Sequence, residues 1–306
     1  MEVLFVGVSR DHVDTWNVTH VASFSLKYFR GGNMKITMIG LGIIGDIWAR
    51  NLQKDGFEVR SWNRTPKDFP GFEPDLAKAV KGSEIIFIVV ADPPAVQQVL
   101  DIILPVLKKG QTVVQSSTIS TKWTLEFARQ VMKTGAKFVE APFTGSKPAA
   151  ENRKTVFYLG GEKEDIEAAN PALERLSSHR LHIGPLGTAS ALKLAMNMNI
   201  AMVFEGLSES LSFARKQGIS DETYFEALHL NASRSGLSDL KEEKLKKSDF
   251  SPQFSLKHMD KDLRLALEDA GNIRLPQLRE TKKIYDEGMS KGLGDKDFSV
   301  LSTLLK

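Results

Sequence analysis

The sequence predicts an α/β N-terminal half joined by one long helix to an all-α C-terminal half. Three observations carry this. Short apolar strands recur with helical segments between them from Met34 onward, the pattern of parallel βαβ units. From about Ala189 to Leu207 the chain is helical in pattern and nearly all apolar, interrupted by Ser190, Lys193, Asn197, Asn199 and Glu205. After Gly218 the periodicity is helical throughout.

Composition narrows the function. At 306 residues there is room for two domains and a sizeable core. A hydrophobic share of 42% with 26% charged residues is ordinary for a soluble globular protein. The net charge of +3 is too small to argue for nucleic acid, and no basic stripe with interleaved aromatics is present. The absence of cysteine excludes disulfides, thiol nucleophiles and cysteine-ligated zinc, and fits a reducing cytoplasm. The six histidines show no metal-binding spacing, and no apolar run approaches the roughly 18 residues a membrane span needs. The expectation is a cytoplasmic protein without metal, nucleic acid or membrane partners.

Residues 1–33 fit poorly with the rest of the chain. Met1–Val8 looks like the start of a strand, but Asp11–Asn33 has no sustained periodicity. A signal peptide needs a basic start and a longer apolar core, and Glu2, Asp11 and Asp14 argue against a transit peptide. The expectation is an N-terminal extension created by a misplaced gene start, with translation beginning at Met34. Arg30-Gly31-Gly32-Asn33 can be encoded by purine-rich codons resembling a ribosome-binding site. Peptides from residues 1–33 in the natively expressed protein would refute it. The competing reading is an arm at a subunit interface.

From Met34 the elements come in a clear order. Lys35–Ile39 reads as a strand, then comes Gly40-Leu41-Gly42-Ile43-Ile44-Gly45, a helix to about Lys54, and a strand at Glu58–Trp62. This is G-x-G-x-x-G after a strand and opening a helix, the context that makes the motif a dinucleotide-binding fingerprint. Gly40 permits the tight turn, Gly42 lets the backbone approach a pyrophosphate, and Gly45 allows close helix–strand packing. The helix N-terminus offers amide donors to the phosphates. Residues 34–188 are therefore expected to form a Rossmann dinucleotide-binding domain. Its second strand ends Asn63-Arg64-Thr65, with no acid to hold a ribose hydroxyl and an arginine able to fork onto a 2′-phosphate. That favours NADP.

Glu84–Val90 reads as a buried parallel strand, and Val90, Ala91 and Asp92, before Pro93-Pro94, leave its carboxyl end, where ligands collect in such sheets. Gln111–Gln115 ends Ser116-Ser117-Thr118, and Lys137–Glu140 runs into Ala141-Pro142-Phe143-Thr144-Gly145-Ser146-Lys147. Val156–Leu159 precedes Gly160-Gly161, read as a hairpin or turn. Taken singly, such hydroxyls and glycines are ordinary turn chemistry.

The long helix opens after Gly184-Pro185-Leu186-Gly187 and defines an interdomain segment over 189–218, about 45 Å long to Gly218. Apolar on every side, it is predicted to be buried on every side. Lys193 and Asn197, four residues apart, share one face. A buried lysine is costly unless paired or put to use, and spacing alone leaves open a structural lysine that snorkels outward. The all-α domain, 219–306, is expected to hold helices at Asp221–Leu228, through Lys241–Lys247, at Leu256–Gly271 and at Gln277–Lys291. The charged Lys241–Lys247 run is expected to be a solvated face.

Together these motifs resemble the β-hydroxyacid dehydrogenase family, which includes 3-hydroxyisobutyrate dehydrogenase, tartronate semialdehyde reductase and glyoxylate/succinic semialdehyde reductase. The likeness covers Met34–Lys306 and rests on four separated motifs: Ile39–Gly45 with Trp62–Thr65, Glu140–Lys147, Gly184–Gly187 with Lys193 and Asn197, and Phe254–Leu263. Gly292-Leu293-Gly294-Asp295-Lys296-Asp297-Phe298-Ser299 is similar to the glyoxylate/succinic semialdehyde reductase branch. The resemblance implies that Lys193 is the acid/base and that Asn197 holds the substrate and orients the lysine. It implies that Thr144, Gly145 and Ser146 bind a substrate carboxylate, that Thr118 lies beside nicotinamide and substrate, and that Lys261 lies against the cofactor. Phe254 and Asp262 would close or brace the pocket.

Two departures stand out. The family usually has serine where Thr144 stands, so the added methyl narrows the pocket. Between Thr65 and Asp75 the chain is too short for the family's extra helix and strand. 6-Phosphogluconate dehydrogenase has a much longer C-terminal region, and imine reductases usually lack the lysine, which argues against both. The expected activity is NADPH-dependent reduction of small carboxylate-bearing aldehydes, with glyoxylate and succinic semialdehyde preferred, by a homodimer or homotetramer. The alternatives are a 3-hydroxyisobutyrate-type dehydrogenase running oxidatively, or a non-catalytic NADP-binding scaffold.

Overall fold

The computed structural model describes residues 34–305. The expectation for residues 1–33 lies outside the described residues.

Five parallel strands form the sheet: β1 (Lys35–Ile39), β2 (Glu58–Trp62), β3 (Ile85–Ile88), β4 (Thr112–Gln115) and β5 (Lys137–Glu140), in the order β2-β1-β3-β4-β5. Strand side chains alternate between two faces, and both are covered, which is why β3 and β4 are buried along their whole length. On one face Ile36, Met38, Phe87 and Val114 pack with Trp48 and Leu52 of α1 (Ile43–Lys54). On the other, Ile39, Ile86, Ile88 and Val113 meet α2 (Leu76–Val80), α3 (Pro93–Ile103) and α4 (Thr121–Met132). This is a doubly wound Rossmann sheet. Between Thr65 and Asp75 the chain is irregular except for a bridge from Phe72 to Ser61.

Beyond β5 the sheet changes direction. β6 (Phe143–Thr144) continues the line of β5, and both pair antiparallel with β7 (Thr155–Gly160) through Glu140–Gly160, Phe143–Phe157 and Thr144–Val156. Between β6 and β7 lies α5 (Lys147–Glu151). Of the hairpin or turn expected at Gly160-Gly161, the turn is formed and the hairpin is not. Gly161, at φ +126, turns the chain into α6 (Lys163–Leu176), which returns as β8 (Ser177–Gly184), parallel to β7.

α7 (Thr188–Lys216) then runs 29 residues, roughly 44 Å, out of the sheet lobe. α8 (Asp221–His229), α9 (Gly236–Lys247), α10 (Leu256–Asp269) and α11 (Pro276–Ser290) come next, with a 3₁₀ turn at Phe298–Leu305. Phe204, Leu211, Phe225, Leu263, Tyr285 and Leu301 form their shared core. Two expectations are corrected here. α7 is not buried on every side: Ala191, Ala195, Met196, Asn199, Val203 and Phe213 form an exposed strip, because its neighbours among the described residues cover only the opposite face. Nor is Lys241 solvated. It is 1% exposed, its ammonium 2.7 Å from the buried Asp297 carboxylate and 4.4 Å from the centre of the Phe298 ring. Among the described residues, no helix is long and apolar enough to cross a membrane.

Candidate functional site

The strand order reverses between β1 and β3, and the crevice at their carboxyl ends is where doubly wound sheets bind ligands. The three glycines stand there with distinct constraints. Gly40 has φ +101, and a Cβ on it would lie 2.2 Å from the Val89 carbonyl oxygen. A Cβ on Gly45 would lie 1.9 Å from the Gly40 carbonyl oxygen, so α1 packs against the turn as closely as backbone permits. Among the described residues, Gly42 has nothing within 4 Å of where a Cβ would stand, and no side chain caps α1. The side chain of Ile43 is exposed beside this end, while Leu41 is buried and Ile44 half-buried. An uncapped helix end facing open space fits a pyrophosphate.

Asn63 staples this turn to β2. Its Oδ1 accepts from the Leu41 N–H at 2.9 Å and its Nδ2 donates to the Thr65 carbonyl at 2.7 Å. Arg64 and Thr65 stand exposed just beyond. At the end of β3 the polar groups are committed within the chain. The Val90 N–H donates to Ser117 Oγ at 2.8 Å, and the Asp92 carboxylate caps α3 by accepting from the Ala95 N–H at 2.9 Å. Ala91 lies exposed between them. On the loop after β5, Thr144 is half-buried on β6, Gly145 has φ +124, and the Ser146 hydroxyl makes no cap bond at the head of α5.

The helical lobe supplies the other wall. Lys193 and Asn197 lie on the buried face of α7, and α10 lies against that face. Lys193 Nζ donates to Asn197 Oδ1 at 3.0 Å, and Asn197 Nδ2 donates to Asp262 Oδ2 at 2.6 Å. Lys261 Nζ stands 2.9 Å from Asp262 Oδ1 and donates to the Thr118 carbonyl oxygen at 2.5 Å. A polar chain thus runs from Lys193 across α10 to the end of β4. A second tie, from the Thr121 N–H to Asp269 Oδ2 at 2.6 Å, anchors the far end of α10 to the same lobe.

The electrostatics come from burial. Loss of water pulls the Lys193 ammonium down from its ordinary value to about 8; the Asp262 charge opposes this and the Lys261 charge adds to it. A carboxylate can only accept, so Asp262 fixes the Asn197 amide with its NH₂ toward α10 and its oxygen toward Lys193. Phe254 stacks parallel on His258, with ring centres 6.4 Å apart, and burial followed by the Lys261 charge holds that imidazole below its ordinary value.

Several functional supports escaped sequence reasoning. Ser117, next to Thr118, holds the end of β3. Asp297 gathers the Gln253 and Phe254 N–H groups at 3.0 and 3.2 Å as well as Lys241, which gives the C-terminal Asp-Lys-Asp-Phe-Ser motif a physical task. Glu140 is completely buried at the end of β5. The only sequence signal for either carboxylate was its presence in a motif.

Two family models match the chain. One describes the NAD-binding domain of 6-phosphogluconate dehydrogenase and matches residues 35–184. The other describes the NAD-binding region of NADP-dependent 3-hydroxyisobutyrate dehydrogenase and matches residues 187–305. Glyoxylate/succinic semialdehyde reductase 1 of Arabidopsis thaliana is 30% identical over 285 residues, 89% of this chain and 99% of that protein. 2-Hydroxy-3-oxopropionate reductase of Escherichia coli strain K12 is 30% identical over 284 residues, 89% of this chain and 97% of that one. Among solved structures, a Mycobacterium tuberculosis 3-hydroxyisobutyrate dehydrogenase determined with L-serine superposes with a TM-score of 0.82 at 23% identity, covering 89% of this chain and 99% of that chain. This last likeness is one of fold.

Proposed function

We propose, from the premise that this chain belongs to the β-hydroxyacid dehydrogenase family and is an NAD(P)-dependent oxidoreductase acting on hydroxyl groups, that it reduces small carboxylate-bearing aldehydes with NADPH. Glyoxylate and succinic semialdehyde are the substrates we favour. The observation that carries the reading is the chain from Lys193 through Asn197, Asp262 and Lys261 to the Thr118 carbonyl.

Reducing an aldehyde requires a hydride on carbon and a proton on oxygen. A bound nicotinamide supplies the hydride, which no side chain can. Lys193 does the rest: its ammonium donates a hydrogen bond to the carbonyl oxygen, stabilises the developing alkoxide and delivers the proton. Asn197, held by Asp262, accepts one Lys193 N–H in either protonation state and leaves another to face the substrate. Thr144, Gly145 and Ser146 hold the substrate carboxylate through hydroxyl and amide donors, Thr118 borders it, and Phe254 walls it off from water. Gly40–Gly45 cradle the pyrophosphate, and Arg64 selects NADPH by its 2′-phosphate. Run backwards, neutral Lys193 takes the proton from a hydroxyacid, and burial favours that state. We place this enzyme in the cytoplasm as a homodimer or homotetramer.

The test is NADPH oxidation by the purified protein with glyoxylate, succinic semialdehyde and methylmalonate semialdehyde, beside Lys193→Ala. Turnover that collapses in the variant is expected. Absence of turnover on all three despite NADPH binding would overturn the substrate class.

A further inference from the structure

The helix that carries Lys193 starts without a cap of its own. α7 begins after Gly187, which has no side chain to satisfy the first amides, and Gly187, Ala189 and Ser190 are all buried from water. Unpaired, these N–H groups would be costly. The missing acceptor comes from 47 residues upstream. Glu140 Oε2 accepts from the Gly187 N–H at 2.7 Å, Oε1 accepts from the Ser190 N–H, and the Ala189 N–H also faces the carboxylate.

Space has been made for it. Gly160 is the register partner of Glu140 on β7, and a Cβ there would lie 2.3 Å from Oε2. Burial pushes the carboxyl up from its ordinary value, and the Ser190 hydroxyl together with the Gly187, Ser190 and Ala189 amides opposes that. The location matters most. Glu140 is the last residue of β5, and Thr144, Gly145 and Ser146 come four to six residues later. On the other side, Ser190 lies three residues before Lys193. One side chain touches the roots of both segments.

We propose that Glu140 is a positioning residue: its carboxylate, capping α7 from β5, sets the placement of Lys193 relative to the carboxylate-binding loop. This rests on the roles given above to Lys193 and that loop. Glu140 does not reach the reacting atoms, so its loss leaves cofactor binding intact and disturbs the alignment that proton delivery needs.

The experiment compares Glu140→Gln, Glu140→Asp and Leu173→Ala, a core truncation in α6 that lowers stability away from the site. Glutamine keeps the shape but turns an NH₂ toward an N–H. Aspartate keeps both acceptors one methylene short. For Glu140→Gln the expectation is a fall in kcat of about tenfold or more, an aldehyde KM changed by less than about threefold, and an unchanged NADPH Kd. Glu140→Asp should recover part of kcat, and Leu173→Ala should keep it despite a lower Tm. Hydrogen exchange of a peptide covering 187–193 supplies a readout independent of activity, and it should accelerate in Glu140→Gln but not in Leu173→Ala. A kcat in Glu140→Gln no lower than in Leu173→Ala, or unchanged exchange, would overturn the proposal. Should Glu140→Gln fail to fold, a wild-type kcat in Glu140→Asp overturns it equally. Wild-type protein inactive on every aldehyde would instead sink the functional reading, and the exchange would still decide whether Glu140 caps the helix.

Discussion

Helices α1 and α7 both start after a glycine that offers its first amides nothing, and the fold treats the two ends in opposite ways. At α1, among the described residues, Gly42 looks onto open space and no side chain caps the helix. At α7, a buried glutamate fills the same kind of end. Both ends attract negative charge by the same physics of aligned amide dipoles. One receives it from the protein; the other stands open to negative charge from outside it.

Of the side chains near these two helix ends, Lys193 is the costliest to lose. Replacing it with methionine keeps the volume of the side chain and removes the proton donor. Turnover should fall about a thousandfold while NADPH affinity at the α1 end holds, as steady-state kinetics beside calorimetry would reveal. Substantial residual turnover would move the acid/base elsewhere.

Next in size is an attempt to make α1 resemble α7. Gly42 has φ −67 and free space for a Cβ, so Gly42→Asp fits without strain. Its carboxylate would cap α1 and repel the pyrophosphate. NADPH affinity should fall on the order of 100-fold, with a slight gain in Tm from the new cap. An unchanged Kd would mean that phosphates do not come to this end.

Arg64→Ala should raise the NADPH KM about tenfold or more and leave that for NADH in place. Equal effects on the two cofactors would remove Arg64 from the 2′-phosphate. The pH profile is a gentler probe of the same pair of ends. With Lys193 pulled down to about 8, reduction needs its protonated form, so kcat/KM for the aldehyde should fall about tenfold per pH unit above pH 8, while oxidation should rise up to pH 8. A reduction profile flat to pH 10 would contradict the lysine mechanism.

The smallest test concerns a second carboxylate on α7. Glu205 is buried like Glu140, yet neither of its oxygens has a hydrogen-bond partner among the described residues, and burial followed by the Glu209 charge pushes it up to about 7. A raised carboxyl binds its proton more tightly in the folded state, so stability contributed at low pH is lost as pH climbs from the usual carboxylate range to about 7. Glu205→Gln should therefore be neutral near pH 4 and stabilising by up to about 3 kcal/mol at pH 8 in urea melts. Equal stability at pH 8 would show that Glu205 finds a donor.

What the sequence made legible was local. The glycine triplet lies within six residues, and Lys193 and Asn197 are one helical turn apart, so spacing alone put them together. The partners that give these residues their electrostatics are distant: Asp262 lies 65 residues from Asn197, and Glu140 lies 47 from Gly187. Only the folded chain pairs them, and periodicity carries no trace of it. α6 has Pro171 inside it, which reads as a break, and β8 opens Ser-Ser-His-Arg and is largely exposed, with an apolar alternation of only Leu181 and Ile183 near its end. Lys241 was disguised by its charged neighbours, because a run of lysines and glutamates says nothing about which one turns inward.

Lys261 holds the Thr118 carbonyl and the Asp262 carboxylate with one ammonium. Lys261 and Asp262 are neighbours on α10, and Asp262 in turn holds Asn197 of α7, so the bond to the Thr118 carbonyl is the one link of this polar chain that leaves the helical lobe for the sheet lobe. A single ammonium thus couples the geometry around Lys193 to the end of β4, and a change on either side of the cleft is felt on the other.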